Sequence, residues 1–331
     1  MSTNTYTSAG ANQLSNEGQI YYRLDLIKRL LPFLPMFAEG QKRTVPKRSG
    51  GFTSGQIHWR KVAALATATT PLTEGVPPDA KSLSVTTVTA NLSQYGDIVK
   101  LTDVLVGASI DDMAREAQDV LGEQAGQTLH ALLITELKNN TVTQIANGRA
   151  ARTDLLATDV LNAYEVKKAV RTLHKAKVKR FGDGLYHGLI SPDQLFDLSN
   201  DDEWIDVTTN SAGAAGAPSM VQYAHMGFVG KFHNVLFKMS TDCPAYTTTA
   251  STHGALIYGP DWFGLSDFVG MTMGDINAST NMGVSVKYIS PQTDSKEDPL
   301  NQYGVAGWLV AFVAKILDNS KGVLLHTGYT A

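Results

Sequence analysis

The chain has 331 residues, 43% of them hydrophobic and 18% charged, with a formal charge of -3 and a single cysteine. It is too apolar to be disordered, and 28 Lys and Arg against 31 Asp and Glu exclude a protein that coats polyanions over its whole surface. Cys243 has no intrachain disulfide partner and no stretch reaches the ~20 apolar residues of a membrane span, so the expectation is a chain made in a reducing cytosol without membrane contact.

Charge is distributed unevenly along the chain. Residues 1–61 carry nine basic and three acidic side chains, a local +6, which leaves -9 for the remainder. A basic arm on an acidic body suits contacts between copies of one chain. In chain order, residues 1–19 read as a polar tail, and Ile20 to Leu31 as a short amphipathic helix stopped by Pro32 and Pro35. From Gln41 to about Leu105, Thr, Val and Ser between glycine and proline breaks predict strands and a long hairpin. Alternation is clear in Gln56–Val62 and Ser82–Leu92. Between them VAALATATTPLTEGVPPDAKS has no strong helical face, and reads as an extended excursion that gains its contacts from another subunit.

The sharpest helical pattern follows. Met113, Ala117, Leu121, Ala125, Leu129, Leu133 and Leu137 recur every fourth residue, with Leu132 widening the stripe. This predicts one helix over 111–138, acidic in its first turns and spiralling across a sheet rather than forming a coiled-coil seam. Gly122 and Gly126 leave room for close backbone approach. A second helix is predicted over 160–177 with Val166, Ala169, Val170 and Leu173 inward. Then come a strand at 184–191, a helix from Pro192 to about Ile205, and a glycine-rich loop at Ser211–Ser219. Strands are expected at 235–239, 255–258 and 284–289, and a closing pair, 307–316 and 322–326, reads as a hairpin joined at Asp318–Lys321. The fold class is α+β.

Catalytic signatures are absent: there is no Gly-x-Ser-x-Gly elbow, His-Glu-x-x-His, Cys-x-x-Cys or EF-hand loop. Gly227-Phe-Val-Gly-Lys231 lacks the spacing and the hydroxyl residue of a phosphate-cradling loop. His225, His233, Cys243 and His253 are eight to ten residues apart, unlike the close pairs that fix zinc ligands, and read as strand histidines and a lone thiol. Asp201, Asp202, Glu203 and Asp206 read as a solvated acidic face with Trp204 as a packing anchor. No catalytic residue, cofactor or metal is assigned.

The ordered segments QKRTVPKRSGG (41–51), IHWRKV (57–62), TTPLTEGVPPD (69–79) and NLSQYGDIVKLTDVL (91–105), followed directly by a long helix, resemble the major capsid proteins of tailed phages. Within these they are most similar to the family typified by the coat protein of the podovirus N-four. AVRTLHKAKV (169–178), LISPDQLFDL (189–198) and DDEWIDV (201–207) extend the resemblance over most of the chain from about Ile20.

The resemblance implies a Hong Kong 97-type fold. In this sequence that means an N-terminal arm over 1–49, an extended loop over 50–94 reaching across a neighbour, and a peripheral domain over 95–160 with a spine helix at 110–140. An axial domain over 161–275 and a return to peripheral strands over 276–331 complete it. It further implies pentamers and hexamers in an icosahedral shell, a portal protein, and packaged double-stranded DNA contacted weakly and without sequence preference. Separate scaffolding and decoration proteins are compatible with it, as are assembly in the bacterial host cytoplasm and residence in the virion. Arg43, Arg60, Lys61, Glu74 and Asp103 are then candidate intersubunit charges, Leu72, Val76, Pro77 and Pro78 loop-tip packing, and Ser211, Gly213 and Gly216 an axial loop. Covalent crosslinking would draw on Lys61 or Lys81 and on Asn277, Asn281 or Asn301. An encapsulin-type nanocompartment and, more distantly, an α+β hydrolase stay open as alternatives.

Overall fold

A computed structural model describes residues 36–43, 47–48, 51–52, 55–63, 65–72, 74–75, 80–108, 113–201, 203, 228–247, 251–266, 285–289, 300 and 302–330. The strands in chain order are β1 (Gln41–Arg43), β2 (Lys47–Arg48), β3 (Gly51–Phe52), β4 (Gln56–Val62), β5 (Val85–Asn91), β6 (Ser93–Thr102), β7 (Thr143–Ile145), β8 (Tyr186–Ile190) and β9 (Phe228–Phe232). They continue with β10 (Val235–Met239), β11 (Ala245–Thr247), β12 (Ser251–Tyr258), β13 (Phe263–Ser266), β14 (Ser285–Ile289), β15 (Tyr303–Phe312), β16 (Ala314–Ile316) and β17 (Gly322–Thr327). The helices whose ranges fall among the described residues are α1 (Asp103–Ala108), α2 (Met113–Leu137), α3 (Ala163–Lys175) and α4 (Pro192–Ser199).

Helix α2 is the long helix expected from the four-residue repeat. Leu121, Ala125, Leu129, Leu133 and Leu137 are all buried, and they pack with Trp308, Val310 and Phe312 of β15 and with Leu256 and Tyr258 of β12. One stripe therefore joins two sheets, because a repeat of four drifts around a 3.6-residue helix and presents different directions at its two ends. The first sheet has the order β14-β15-β6, with ten register pairs from Tyr303↔Thr102 to Phe312↔Ser93. The second has the order β7-β17-β12-β8-β10-β9, with β11 added on β12.

Helix α3 covers the second sheet through Val166, Ala169, Val170 and Leu173, all buried against Tyr186, Phe237, Ile257 and Leu325. Its predicted span is trimmed at both ends. Asn162 caps the start by accepting from the Glu165 backbone N–H at 3.0 Å, and Lys177 takes a left-handed φ of 54° that stops the turn. Helix α4 opens on a capping box between Ser191 and Gln194 with Pro192 in its first turn. It ends at Ser199, short of the expected Ile205. Asp201, expected as a solvated acid, turns its carboxylate onto the Ala163 and Glu203 backbone N–H groups at 3.0 Å each.

Two further expectations are corrected. The residues from Asp103 onward, read as the end of a strand, form α1, whose first residue accepts from the Val104 N–H at 2.7 Å. The closing pair is no hairpin. The strand is interrupted at Val313, and β15 joins β6 and β14, β16 joins β13, and β17 runs between β12 and β7 in the seven-stranded sheet. Asp318 caps a 3-10 turn over Asn319–Lys321, and the Leu317 N–H is taken by the Trp262 carbonyl at 2.9 Å, which sends the chain across rather than back. The expected helix at 20–31 and the loop at 211–219 lie outside the described residues.

Candidate assembly surface

Strands β4 and β5 pair antiparallel from Gln56↔Asn91 to Val62↔Val85, and among the described residues of this hairpin the buried ones lie at its base. Alternation along β4 turns Ile57 and Trp59 inward and leaves His58, Arg60 and Lys61 outside. Ile57, Trp59 and Ala90 form a small cluster with Leu92, Val313 and Leu317. The indole of Trp59 lies flush against Gly264 of β13, where a Cβ would come within 2.6 Å of the ring, so a side chain there would displace it. Its Nε1–H donates to the Gln41 carbonyl on β1 at 3.4 Å.

A second tie fastens the outer edge. Lys61 Nζ donates to Asp318 Oδ2 at 2.5 Å, and the Ser320 hydroxyl donates to the same carboxylate at 2.7 Å. Burial pushes the Asp318 carboxyl up, but the Lys61 and Ser320 hydrogen bonds outweigh it and hold it below the usual range. Lys61, expected as an intersubunit charge or crosslinking amine, is thus engaged within its own chain, because the turn before β17 delivers a carboxylate to it.

Beyond Val62 the character changes. Every described residue among 63, 65–72, 74–75 and 80–84 is exposed, including Leu65, Leu83 and Leu72, the last at 74%. Gly75 takes a φ of 80° at the turn, a conformation that favours glycine. The described residues between the two strands thus leave three leucines in solvent beside a base that is buried around Trp59.

The other expected residues distribute around this feature. Arg60 is exposed on the face of β4 opposite Trp59, and Arg43 is exposed on β1, the strand whose Gln41 carbonyl receives the indole. Glu74 is exposed beside the Gly75 turn, and Asp103 is exposed at the start of α1. Val76, Pro77, Pro78, Ser211, Gly213 and Gly216 lie outside the described residues. Trp59 was legible only as the partner of Ile57 in the β4 alternation, and Asp318, legible as a turn residue, carried no signal of its pairing with Lys61, 257 positions away.

Among the described residues no group of three or more His, Cys, Asp or Glu side chains is placed to hold a metal ion. His233 sits in the turn between β9 and β10, while the His253 ring lies tilted against Tyr329 at 4.7 Å. Cys243 is buried in the core with α2, where burial pushes its thiol far up and keeps it protonated. Among the described residues no helix is long and apolar enough to cross a membrane.

A family profile described as phage capsid protein matches residues 85–323. No curated protein matches the chain. Solved structures share its fold at low identity. The capsid of Ralstonia phage GP4 is 13% identical with a TM-score of 0.68, over 88% of this chain and 87% of that one. The capsid asymmetric unit of cyanophage Pam1 is 14% identical with a TM-score of 0.64, over 100% and 98%. A holo-SrpI encapsulin complex from Synechococcus elongatus PCC 7942 is 10% identical with a TM-score of 0.53, over 98% and 94%.

Proposed function

The chain belongs to the phage capsid protein family and is a major capsid protein with the Hong Kong 97-type fold, and we propose that its copies close a shell by laying the 63–84 excursion of each subunit over its neighbour. The observation that carries this reading is the contrast within one hairpin, a base buried around Trp59 and an excursion whose described residues are all exposed. Covering the exposed parts of Leu65, Leu72 and Leu83 on a neighbour would contribute about 1–2 kcal/mol each, small per subunit but repeated around every capsomer. In this reading 1–49 is the arm, 50–94 the extended loop, 95–160 and 276–331 the peripheral domain, and 161–275 the axial domain. Arg43, Arg60, Glu74 and Asp103 supply intersubunit charge pairs of about 0–1 kcal/mol each, which set register rather than strength.

The function is mechanical, not enzymatic: pentamers and hexamers form an icosahedral shell in the host cytoplasm, close on a portal protein and hold double-stranded DNA. The near-neutral charge supports weak, non-specific contact with that DNA, since a strongly cationic wall would bind it during packaging. Electron microscopy with light scattering on the purified protein, with scaffolding and portal proteins co-expressed where needed, tests the reading. Closed shells that are lost when Pro71–Asp79 is deleted are the expected result. A persistent monomer under all these conditions would overturn it. The likeness to an encapsulin favours a second reading, a cargo compartment, which particles filled with protein and free of nucleic acid would support.

A further inference from the structure

The segment that leads into β1 carries one acid into the interior. Glu39 reaches three strands of the seven-stranded sheet at once: Oε1 faces His187 Nδ1 of β8 at 2.6 Å and the ammonium of Lys238 on β10, and Oε2 accepts from the Tyr258 hydroxyl on β12. His187 Nε2 faces a second carboxylate, Asp183 Oδ2 in the turn before β8, at 2.9 Å, and its ring stacks on Phe181 at 4.0 Å. Among the described residues these are the charged and titratable groups seen to face the imidazole and Glu39. Met36 and Phe37 are buried beside them, and at Gly40 a Cβ would come within 2.6 Å of Phe263, so the segment runs flush against β13.

Two carboxylates flank one imidazole. An imidazolium offers two N–H donors, one for each, and its charge adds to that of Lys238 beside Glu39. A neutral imidazole offers one donor and leaves a lone pair facing the other carboxylate. The geometry points to a pH-responsive latch in which Glu39, seated in the socket of His187, Lys238 and Tyr258, holds residues 36–43 against the sheet within a window of pH and loosens them on either side.

The limits of the window follow from the two groups. Burial alone would push His187 down, but the Glu39 and Asp183 hydrogen bonds and charges raise it above its ordinary value. The docked segment is therefore favoured while the imidazole is charged, and that contribution is lost as pH rises through the raised value. Burial alone would push Glu39 up, but His187 and Lys238 hold it below the ordinary carboxylate range. Its contribution is present above that range and is lost as pH falls through the depressed value. Where docking moves a group's titration midpoint by one pH unit, the docking equilibrium changes by about tenfold across that interval.

The latch belongs to the folded chain and does not rest on the assembly reading. Hydrogen exchange by mass spectrometry on the full-length protein from pH 4 to 9, with protection at 36–43 expressed relative to β15, tests it. Protection is expected to fall at both ends, by about tenfold for every pH unit that separates the docked and undocked midpoints. His187→Gln is expected to abolish the alkaline limb and keep the acid one. Asp183→Asn, which leaves the ring and its Glu39 contact in place, moves the alkaline limb to lower pH, and it decides the matter if His187→Gln fails to fold. Flat relative protection in the wild type, or an alkaline limb that Asp183→Asn does not move, would overturn the latch.

Discussion

Replacing Trp59 by alanine tests whether the hairpin base is what presents the excursion. Trp59 is 2% exposed and is the largest member of a cluster whose other buried members are Ile57 and Ala90. Truncating a buried tryptophan costs about 3–5 kcal/mol, and at about 1.4 kcal/mol per factor of ten this loosens hairpin docking by two to nearly four orders of magnitude. What remains is chiefly Ile57, about 1.5–3 kcal/mol, with smaller parts from Ala90 and Leu92 and from the Lys61–Asp318 pair, whose lysine is half-exposed, about 0–1 kcal/mol. The cost falls on the hairpin because the cores around α2 and α3 do not include Trp59. Exchange protection over 55–62 and 85–92 should collapse, protection of α3 should stay, and the yield of closed shells should drop steeply. Trp59→Phe removes the 3.4 Å bond to Gln41 and retains most of the packing, so it should cost only about 1 kcal/mol for that bond and still assemble. Wild-type protection in the hairpin of Trp59→Ala, or loss of α3 protection together with it, would refute the reasoning.

Leu72→Asp should leave the unfolding midpoint within about 0.5 kcal/mol of wild type because the side chain is exposed, yet reduce shell yield measured by sedimentation. Equal yield would remove Leu72 from the interface. Burial first, and the Arg152 charge second, depress His326 from 6.5 to about 4. The unfolded chain thus takes up that proton first, and urea stability should fall by on the order of 3 kcal/mol as pH drops through this interval, a slope that His326→Phe should flatten. At Gly322 a Cβ would come 2.2 Å from the Trp262 indole, so Gly322→Ala should lower stability by about 1–3 kcal/mol in chemical denaturation.

The elements legible in the sequence are those whose pattern is local. The four-residue repeat from Met113 to Leu137 announces α2, Ser191-Pro192 with Gln194 announces the start of α4, and alternation in 56–62 announces β4, because burial periodicity and capping act within a few residues. The exposure of the described residues in VAALATATTPLTEGVPPDAKS was legible for the converse reason, since that stretch has no strong helical face for its own chain, whereas the strand read from Ser82 begins only at Val85. The ordered motifs from Gln41 to Val207 pointed to the capsid family, which the match over 85–323 bears out.

Strand partnership belonged to the tertiary structure. The turn at Asp318–Lys321 has good hairpin residues, yet β17 pairs with β12 and β7, because the central position in a buried sheet satisfies more backbone groups than a hairpin with β16 would. The same holds for the sites. Trp59 on Gly264, Lys61 on Asp318 and Glu39 among His187, Lys238 and Tyr258 each join positions far apart in the chain. Side-chain pairing depends on distance in space, and only the closed fold brings these groups within the few ångströms at which hydrogen bonds and charges act.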